Sequence, residues 1–561
     1  MHRLLTGWRP YAALALLALM LALPGQATLP VMDRDEARFA QATRQMLETD
    51  DFIAIRFQDT ARNKKPVGIY WLQAASVATL STPDSPAIAP YRVPSMLGMV
   101  AAVLLTFAVG SRLFDRQTGF VGAALLAGSL QLVIEAHLAK TDAVLLALTL
   151  ACVFPLAGRY LAARGARPPP ARPTAEAVLF WGALGGAILI KGPVVPMVLA
   201  LTVLALLIAD RRRGPGPGWL LGLKPGRGLL LLAAIVLPWF LAVQQATGGA
   251  FLGQAVGGDL LPKLLGGQES HGAPPGYHSL LAVLTLWPAS LFLLPAVVRS
   301  VSRRGEAAVA FLLAWAGPAW LVFELIPTKL PHYVLPLFPA LTLLMATVLL
   351  AVRDDTPSRL LAKRWWPWIG LWAVIGLTLA GAMPVLVTQY GDASGLPVGL
   401  LAAGLGLLVV GGGLWQLARR RPLLAALAPV GAGVLFLGVV FQGVAPALSD
   451  LWLSQRAARA IDSLAPGAPV VAAGFHEPSL VFLLGTATEL APGGAAAAAR
   501  LARDPKAVAL VADSEQAAFL TAFQAARPKA PLPEPLIGIE GLNYSRGDPT
   551  TLSLYAAPPT D

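Results

Sequence analysis

Residues 93–110 read VPSMLGMVAAVLLTFAVG, a stretch without a charged side chain between Arg92 and Arg112. As a helix it is about 27 Å long, close to the roughly 30 Å hydrocarbon core of a bilayer. Similar stretches recur from residue 11 to residue 446 of the 561 residues, 56% of which are hydrophobic and 13% charged. Soluble domains do not carry so much apolar surface. The sequence therefore predicts an α-helical polytopic membrane protein.

We predict about thirteen transmembrane helices within a domain formed by residues 1–446. The spans lie near 11–24, 93–110, 118–134, 141–160, 175–190, 193–209, 229–245, 279–298, 307–326, 333–352, 365–388, 397–417 and 423–446. A long first outer loop occupies residues 25–92, and its periodicity predicts helices from Asp35 to Leu47 and from Val67 to Leu80.

Residues 447–561 form the second predicted domain. Apolar segments at 469–474 and 507–512 read as buried strands, and each is followed by a helical segment. Alternation of strand and helix is typical of a small α/β domain. We interpret the Ala- and Gly-rich run at 491–499 as a loop or mobile segment.

The distribution of basic residues predicts the orientation in the membrane. Of the 43 Lys and Arg residues, 23 lie in segments that this topology places on the side of the N-terminus. The short loops on the other side carry only Lys140, Lys191, Lys263 and Lys329. This asymmetry follows the positive-inside rule, so we expect a cytoplasmic N-terminus and an outer C-terminal domain. Topology thus accounts for the net charge of +12, and we expect no nucleic-acid partner.

Polar clusters mark the outer ends of the predicted helices. They lie at 33–39, 62–66, 140–142, 191–193, 269–277 and 327–333. Ionisable groups are costly in a membrane protein and mark functional sites. The four lysines of the short outer loops lie in these clusters or in the same loops, although the positive-inside rule disfavours basic residues on this side. The pattern indicates an anionic ligand.

These residue types suit the transfer of a group that is carried on a phosphate. Asp35 and Arg38 share one helix face, and the carboxylate can act as a general base or hold an acceptor hydroxyl. Lysines can neutralise a phosphate leaving group as its charge grows. Glu269 and His271 can contribute two ligands to a divalent cation, which is a weak set by itself.

Each candidate also has a simpler interpretation. Asp35 and Arg38 can form a surface ion pair, and Asp142 can cap the helix that it opens. Lys191 and Lys329 can be interfacial anchors. His271 can be an ordinary loop histidine, and Tyr333 can belong to the aromatic belt at the membrane surface.

The ordered motifs resemble those of the GT-C membrane glycosyltransferases of the protein-mannosyltransferase-like group, and in particular the bacterial aminoarabinose transferases that modify lipid A. The matching segments are Asp35-Glu-Ala-Arg-Phe39, Lys65-Pro66 with Tyr70-Trp71-Leu72, Thr141-Asp142-Ala143, Lys191-Gly192-Pro193, Lys329-Leu-Pro-His-Tyr333, Gly474-Phe-His-Glu-Pro-Ser479 and Asn543-Tyr544-Ser545. The sequence departs from the family pattern at three positions. Lys64 replaces a frequent acidic residue, Phe39 replaces a tyrosine, and Gly276 stands where a basic residue is expected.

The resemblance implies sugar transfer from an undecaprenyl-phosphate carrier to an acceptor at the periplasmic face of the bacterial inner membrane, without a nucleotide cofactor. The sugar can be 4-amino-4-deoxy-L-arabinose, and the acceptor lipid A or another lipid or protein of the envelope. By this resemblance the catalytic residues are Asp35, Glu36, Arg38 and Asp142. The substrate-binding residues are Lys65, Tyr70, Lys191, Lys329, His332 and Tyr333, and Glu269 and His271 lie near a metal ion.

Three alternatives stay open. A transporter or flippase for an anionic lipid explains the outer lysines, but it does not explain the long first loop or the folded C-terminal region. A non-catalytic scaffold of envelope assembly predicts that Asp35 and Lys65 tolerate substitution. A protein O-mannosyltransferase-like activity differs from the main interpretation in its acceptor.

Overall fold

The computed structural model describes residues 2–212, 214–267, 272–351 and 360–558. The helices that precede the C-terminal domain are α1 (Arg9–Ala22), α2 (Asp35–Thr49), α3 (Gly68–Leu80), α4 (Ala89–Leu113), α5 (Arg116–Ala127), α6 (Leu130–Ala136), α7 (Asp142–Ala163), α8 (Pro173–Lys191), α9 (Val194–Asp210), α10 (Pro225–Ala246), α11 (Ala250–Leu252), α12 (Leu261–Leu265), α13 (Tyr277–Thr285), α14 (Leu293–Ser302), α15 (Ala307–Leu325), α16 (Phe338–Leu350), α17 (Trp366–Tyr390), α18 (Leu396–Ala418) and α19 (Pro422–Val439).

The polytopic membrane fold is confirmed, whereas the number of spans stays a prediction. Within the described ranges, nine helices are long and apolar enough to cross a membrane, or ten if α5 and α6, bent by 65°, form one span. The predicted spans at 11–24 and 193–209 coincide with the shorter apolar helices α1 and α9. The span at 279–298 is broken next to Pro288, because proline interrupts helical hydrogen bonding.

The first outer loop contains both helices that its periodicity predicts, α2 and α3. A two-residue antiparallel pairing of Arg56–Phe57 (β1) with Thr60–Ala61 (β2) lies between them. Asp35 and Glu36 occupy the first turn of α2, where the positive end of the helix dipole stabilises carboxylates. The acidic motif therefore lies at the N-terminus of a helix.

Close contact between α4 and α7 places the start of α7. A methyl group added at Gly98 of α4 would lie 2.7 Å from the backbone nitrogen of Val144 and 2.8 Å from the carbonyl carbon of Ala143. Only glycine permits this approach, as is common where membrane helices pack through small residues. The contact fixes Asp142, the first residue of α7, against α4.

The C-terminal domain is confirmed as a small α/β fold. Its five-stranded sheet has the order β4 (Glu489–Ala491), β3 (Val470–Ala473), β5 (Val508–Ala512), β7 (Asp548–Ala556) and β6 (Pro535–Asn543). Strands β3, β4 and β5 are parallel, while β7 runs antiparallel to β5 and β6. The elements are α20 (Leu453–Leu464), β3 (Val470–Ala473), α21 (Pro478–Leu484), β4 (Glu489–Ala491), α22 (Gly494–Arg503), β5 (Val508–Ala512), α23 (Asp513–Ala526), β6 (Pro535–Asn543) and β7 (Asp548–Ala556).

Sequence reasoning identified β3 and β5 but misjudged one segment. The run at 491–499, expected to be a loop, continues from β4 into helix α22. Its alanines are good helix formers, and Ala497 and Ala498 are buried against the sheet. The C-terminal strands β6 and β7 and helix α20 were not predicted.

The C-terminal domain packs on the first outer loop. Phe482 of α21 is fully buried and its ring lies 5.3 Å from that of Tyr91 in α4. Both belong to an apolar cluster with Ala37 and Ala40 of α2. Arg44 of α2 also donates a hydrogen bond of 2.9 Å to the carbonyl of Phe482. The domain therefore lies beside the acidic motif of α2.

Candidate active site

A cavity of about 300 Å³ lies where the starts of α2 and α7 meet the end of α8. Its walls contain Asp33, Arg34, Asp35, Arg38, Phe39, Arg62, Lys64, Lys65, Lys140, Thr141, Asp142, Lys191, Asp259, Lys263, Thr328, Leu330, His332 and Tyr333. Residues from five of the six predicted polar clusters thus meet in one place. With His332 neutral, the eight cationic side chains and four carboxylates of the walls give a formal charge of +4. Such a cleft attracts an anionic ligand.

The two predicted acidic residues differ in how firmly they are held. Asp142 is 4% exposed; it lies 2.6 Å from Lys191 Nζ and accepts a hydrogen bond from the Thr141 hydroxyl. Asp35 is exposed, and within the described structure its carboxylate forms no hydrogen bond or ion pair. No ion pair joins it to Arg38 either, although Arg38 lines the same cavity. Of the two, only Asp35 thus presents a carboxylate to the cavity that no described side chain holds.

Lys191 is positioned by the end of α8. It is the last residue of that helix, and Gly192 follows with a φ of +59°, a conformation that side-chain-bearing residues avoid. The ammonium contacts Asp142 and lies 5.4 Å from the centre of the Tyr333 ring, within the range of a cation–π interaction. The interfacial-anchor interpretation of Lys191 does not account for this inward direction.

His332 connects two carboxylates of the site. Its Nε2 lies 3.9 Å from Asp142 Oδ2, and its Nδ1 lies 3.6 Å from Glu135 Oε1. Glu135 is 2% exposed, and its other oxygen lies 3.5 Å from Lys140 Nζ. Burial opposes the charge on Lys140, but Glu135 and Asp142 outweigh it and raise the pKa of Lys140 above its ordinary value. Lys140 is therefore a permanent cation of the cavity wall.

Arg62 is held over the aromatic part of the site. Its guanidinium lies 5.3 Å from the Phe39 ring, and its Nε donates a hydrogen bond of 3.4 Å to the Tyr70 hydroxyl. Tyr70 itself does not line the cavity; it is fully buried, and burial raises the pKa of its hydroxyl. The predicted role of Tyr70 as a substrate contact thus becomes one of positioning Arg62.

Lys65 forms part of a bridge of opposite charges. Its Nζ lies 3.1 Å from Asp259 Oδ2, and Lys263 Nζ lies 2.6 Å from Asp259 Oδ1. Burial would raise the pKa of Asp259, but the two lysines hold it below its ordinary value. Burial lowers the pKa of Lys65 below its ordinary value; the charge of Asp259 opposes this shift, and the charges of Lys263 and Lys191 add to it. An additional anion in the cavity would therefore stabilise the charged form of Lys65.

Glu36 and Lys329 do not line the cavity. Glu36 is 1% exposed and forms a buried ion pair with Arg92, at 2.8 Å between Nε and Oε1. Lys329 is 2% exposed, and its ammonium donates hydrogen bonds to the carbonyls of Ala273 and Ile326. Both side chains hold the backbone around the site in place. The geometry therefore does not support the predicted catalytic role of Glu36 or the predicted substrate-binding role of Lys329.

The predicted metal ligands Glu269 and His271 lie outside the described residues. Among the residues that are described, no group of three His, Cys, Asp or Glu side chains converges as a metal site would require. The carboxylates Asp142 and Asp259 are already paired with lysines. The metal site therefore stays a prediction.

Two motifs of the C-terminal domain converge on the residues that precede Asp35. The backbone N–H of Asp33 donates to the Tyr544 hydroxyl at 2.7 Å, and the N–H of Ser479 donates to the Asp33 carboxylate at 3.1 Å. Arg34 donates to the carbonyl of Ser545, and its φ of +65° is unusual for a residue with a side chain. Burial raises the pKa of Asp33 to about 6, against the hydrogen bonds from Ser479 and Tyr544. The C-terminal domain therefore fixes the entry to α2.

Asp259 and Glu135 are site residues that sequence reasoning missed. Asp259 lies next to the end of a π-helical segment, Gly253–Leu260, which periodicity rules do not detect. Glu135 is the last residue but one of α6 and lies at the end of the stretch interpreted as the span 118–134. An ionisable residue in an apolar segment indicates a functional site, so Glu135 could have been identified from the sequence.

The fold and the cavity define a class: the chain has the fold of the GT-C membrane glycosyltransferases. It is similar to a crystal structure of ArnT from Cupriavidus metallidurans bound to undecaprenyl phosphate, with a TM-score of 0.71 and 17% identity over 97% of both chains. It is also similar to the oligosaccharyltransferase AglB from Archaeoglobus fulgidus, with a TM-score of 0.51 and 13% identity over 90% of this chain and 69% of that one.

Sequence comparison adds particular relatives. The family described as "Dolichyl-phosphate-mannose-protein mannosyltransferase" matches residues 64–241. The chain is 28% identical over 354 residues to the undecaprenyl phosphate-alpha-4-amino-4-deoxy-L-arabinose arabinosyl transferase of Edwardsiella ictaluri, and 27% identical over 366 residues to that of Pectobacterium atrosepticum. These matches cover 61% and 64% of this chain but only 59% and 62% of the relatives' length. The comparisons confirm the resemblance to GT-C glycosyltransferases and to aminoarabinose transferases.

Proposed function

We propose that this chain is a glycosyltransferase that moves a sugar from undecaprenyl phosphate to a hydroxyl of an envelope acceptor. The observation that carries the proposal is the meeting of an exposed carboxylate, Asp35, which pairs with none of the described residues, with lysines in one cavity of formal charge +4. The lysines can neutralise the charge of the carrier phosphate, and the carboxylate can accept the proton of the acceptor hydroxyl. The names of the sequence relatives and of the ArnT structure support the same chemistry.

The reaction follows from the positions of these groups. Asp35 accepts the proton of the acceptor hydroxyl as the oxygen attacks the anomeric carbon of the sugar. The bond between that carbon and the phosphate oxygen breaks, and its electron pair stays on the phosphate. The carrier phosphate leaves with one more negative charge, which Lys65 and Lys191 stabilise. Tyr333, beside Lys191, can donate a hydrogen bond to the same phosphate.

Asp142 takes a supporting part in this reaction. Its ion pair with Lys191 places the ammonium at the cavity, and its contact with His332 holds the imidazole. A carboxylate that is already paired is a weak base, because its neighbours stabilise the charged form. Asp142 thus orients the cations that meet the phosphate, whereas Asp35 acts on the acceptor.

For the sugar and the acceptor we propose 4-amino-4-deoxy-L-arabinose and lipid A. The names of the curated relatives support the sugar, and the resemblance to transferases that modify lipid A supports the acceptor. The protein acceptor of a mannosyltransferase is the second candidate, because the matching family is described by that activity.

We further propose that the cavity faces the periplasm from the inner membrane, with the N-terminus in the cytoplasm. The asymmetry of the basic residues supports this orientation. The contacts of Tyr544 and Ser479 with Asp33 support a C-terminal domain on the same side as the cavity.

The test is mass spectrometry of lipid A, envelope glycolipids and envelope proteins from cells that lack the gene and are complemented with wild type, Asp35→Asn or Asp59→Asn. Asp59 is an exposed carboxylate of the same outer loop that does not line the cavity, so it is the matched control. We expect an aminoarabinose-sized mass on lipid A with wild type and Asp59→Asn but not with Asp35→Asn. A sugar on envelope proteins instead would favour the second acceptor. Full activity of Asp35→Asn would refute the proposed reaction.

A further inference from the structure

Asp259 divides its carboxylate between two lysines of the cavity. Oδ2 lies 3.1 Å from Lys65 and Oδ1 lies 2.6 Å from Lys263. The carboxylate is 8% exposed, whereas the lysine side chains are 26% and 24% exposed. One buried anion thus holds two ammonium groups that face the cavity. This is the arrangement that an oxyanion ligand, such as a phosphate, would itself make with the two lysines.

The segment that carries Asp259 is joined to the Lys65 loop at two places. Besides the ion pair, Asn63 donates a hydrogen bond of 3.1 Å to the Gln254 side chain. The π-helical turn between these contacts contains Gly257 and Gly258, and a methyl group at either would meet nothing within 4 Å. Side-chain contacts therefore hold this part of the segment to the site, and π-helical turns are frequent at functional sites.

We propose that Asp259 is an internal counter-anion of the phosphate subsite: it holds Lys65 and Lys263 together before the lipid phosphate binds, and it competes with that phosphate for them. Lys263 is thereby a second phosphate-binding lysine beside Lys65. This inference rests on the proposed function, since it takes the phosphate of the carrier lipid as the ligand. Asp259 limits how tightly the carrier phosphate binds, and it speeds release of the more highly charged product.

The electrostatics give the direction of each effect. The Asp259 carboxylate repels a phosphate that approaches the same two lysines, and it occupies the ammonium groups that the phosphate would use. Removing the Asp259 charge should therefore tighten phosphate binding by about tenfold after screening. Removing the Lys263 charge should weaken it by a similar factor. Release of product should slow in the first variant, so its KM and kcat should both fall.

The experiment measures binding of radiolabelled undecaprenyl phosphate to the purified full chain in detergent, with steady-state kinetics on the same samples. The variants are Asp259→Asn, Asp259→Glu and Lys263→Gln, with Asp59→Asn as the control. We expect Kd to fall about tenfold in Asp259→Asn, to rise about tenfold in Lys263→Gln, and to stay near wild type in Asp259→Glu and Asp59→Asn. Thermal unfolding of each variant identifies any loss of folding.

Weaker or unchanged binding by a folded Asp259→Asn protein would overturn the inference, because a carboxylate that merely positions Lys65 predicts that result. The double variant Asp259→Asn/Lys263→Gln keeps the inference testable if the single variant misfolds. If Asp259 competes with the phosphate for the lysines, the double variant should bind with near wild-type affinity. If Asp259 only positions Lys65, the double variant should bind more weakly than Lys263→Gln. Failure of the wild type to bind undecaprenyl phosphate would instead overturn the proposed function itself.

Discussion

Replacing Glu36 by glutamine separates a structural role from a catalytic one. Both Glu36 and Arg92 are nearly inaccessible, at 1% and 0% exposed, and they form two parallel hydrogen bonds of 2.8 Å. The Glu36 carboxylate also accepts the N–H groups of Met32 and Ala139, each at 2.8 Å. The pair therefore joins the start of α2, the start of α4 and the loop that leads into α7.

The magnitude follows from the burial of both charges. Glu36→Gln leaves the Arg92 guanidinium buried without its counter-charge, and breaking such a pair costs about 3 to 5 kcal/mol of unfolding free energy. The guanidinium keeps its hydrogen bonds to the carbonyls of Gln26, Leu29 and Pro30, so the lower end of this range is expected. The double variant Glu36→Gln/Arg92→Met removes both charges and should lose less than the sum of the two single variants.

The assay compares unfolding in detergent with sugar transfer in the same preparations. Asp35→Asn is the reference: its carboxylate is exposed and forms no hydrogen bond or ion pair among the described residues, so its stability should change by less than about 0.5 kcal/mol. Its activity should fall by about 10² to 10⁴, the usual contribution of a general base. A stable but inactive Glu36→Gln protein would refute the structural role and restore Glu36 as a catalytic residue.

Three further predictions concern the supports of the site. Tyr544→Phe leaves the Asp33 N–H without its partner, so we expect a loss of about 1 kcal/mol in stability and a severalfold lower kcat. Gly98→Ala places a methyl group 2.7 Å from Val144 N and should cost about 1 to 3 kcal/mol, measured by unfolding, whereas the roomier Gly186→Ala should be neutral. The pKa of Asp33 is raised from an ordinary 3.8 to about 6. The protonated carboxyl therefore stabilises the folded protein below pH 3.8, and this stabilisation is lost as the pH rises through 6. Asp33→Asn should make the unfolding midpoint less dependent on pH between these two values.

The sequence could predict the elements of this fold because membrane helices carry their own signal. A run such as 93–110 must satisfy its backbone internally in lipid, so apolar length alone identifies a span. The same signal fails at the bent pair α5 and α6 and at the break near Pro288, where hydrophobicity continues but the helix does not. The prediction of a loop at 491–499 was wrong for the opposite reason. Proline and glycine at the start of this run indicate a loop, although the alanines that follow form a helix.

The candidate site was predictable in part, because order along the chain predicts which residues lie on the same side of the membrane but not which of them meet. Asp35, Lys65 and Lys191 converge as expected. Glu36 follows Asp35 directly, yet on α2 its side chain points to Arg92 rather than to the cavity. A helix turns about 100° per residue, so neighbours in a motif face different directions, and only the packing partners decide which one reaches the site. No pattern in the sequence names Arg92 as that partner.

The pairing of charges also explains how a site with four carboxylates can leave one of them reactive. Asp142 and Asp259 each lie within 2.6 Å of a lysine ammonium, which favours their charged form and makes them poor bases. Asp33 accepts the N–H of Ser479 and faces the C-terminal domain. Asp35 alone of the four wall carboxylates has no such partner among the described residues. In the proposed reaction the cations of the walls bind the phosphate, and Asp35 accepts the proton of the acceptor hydroxyl.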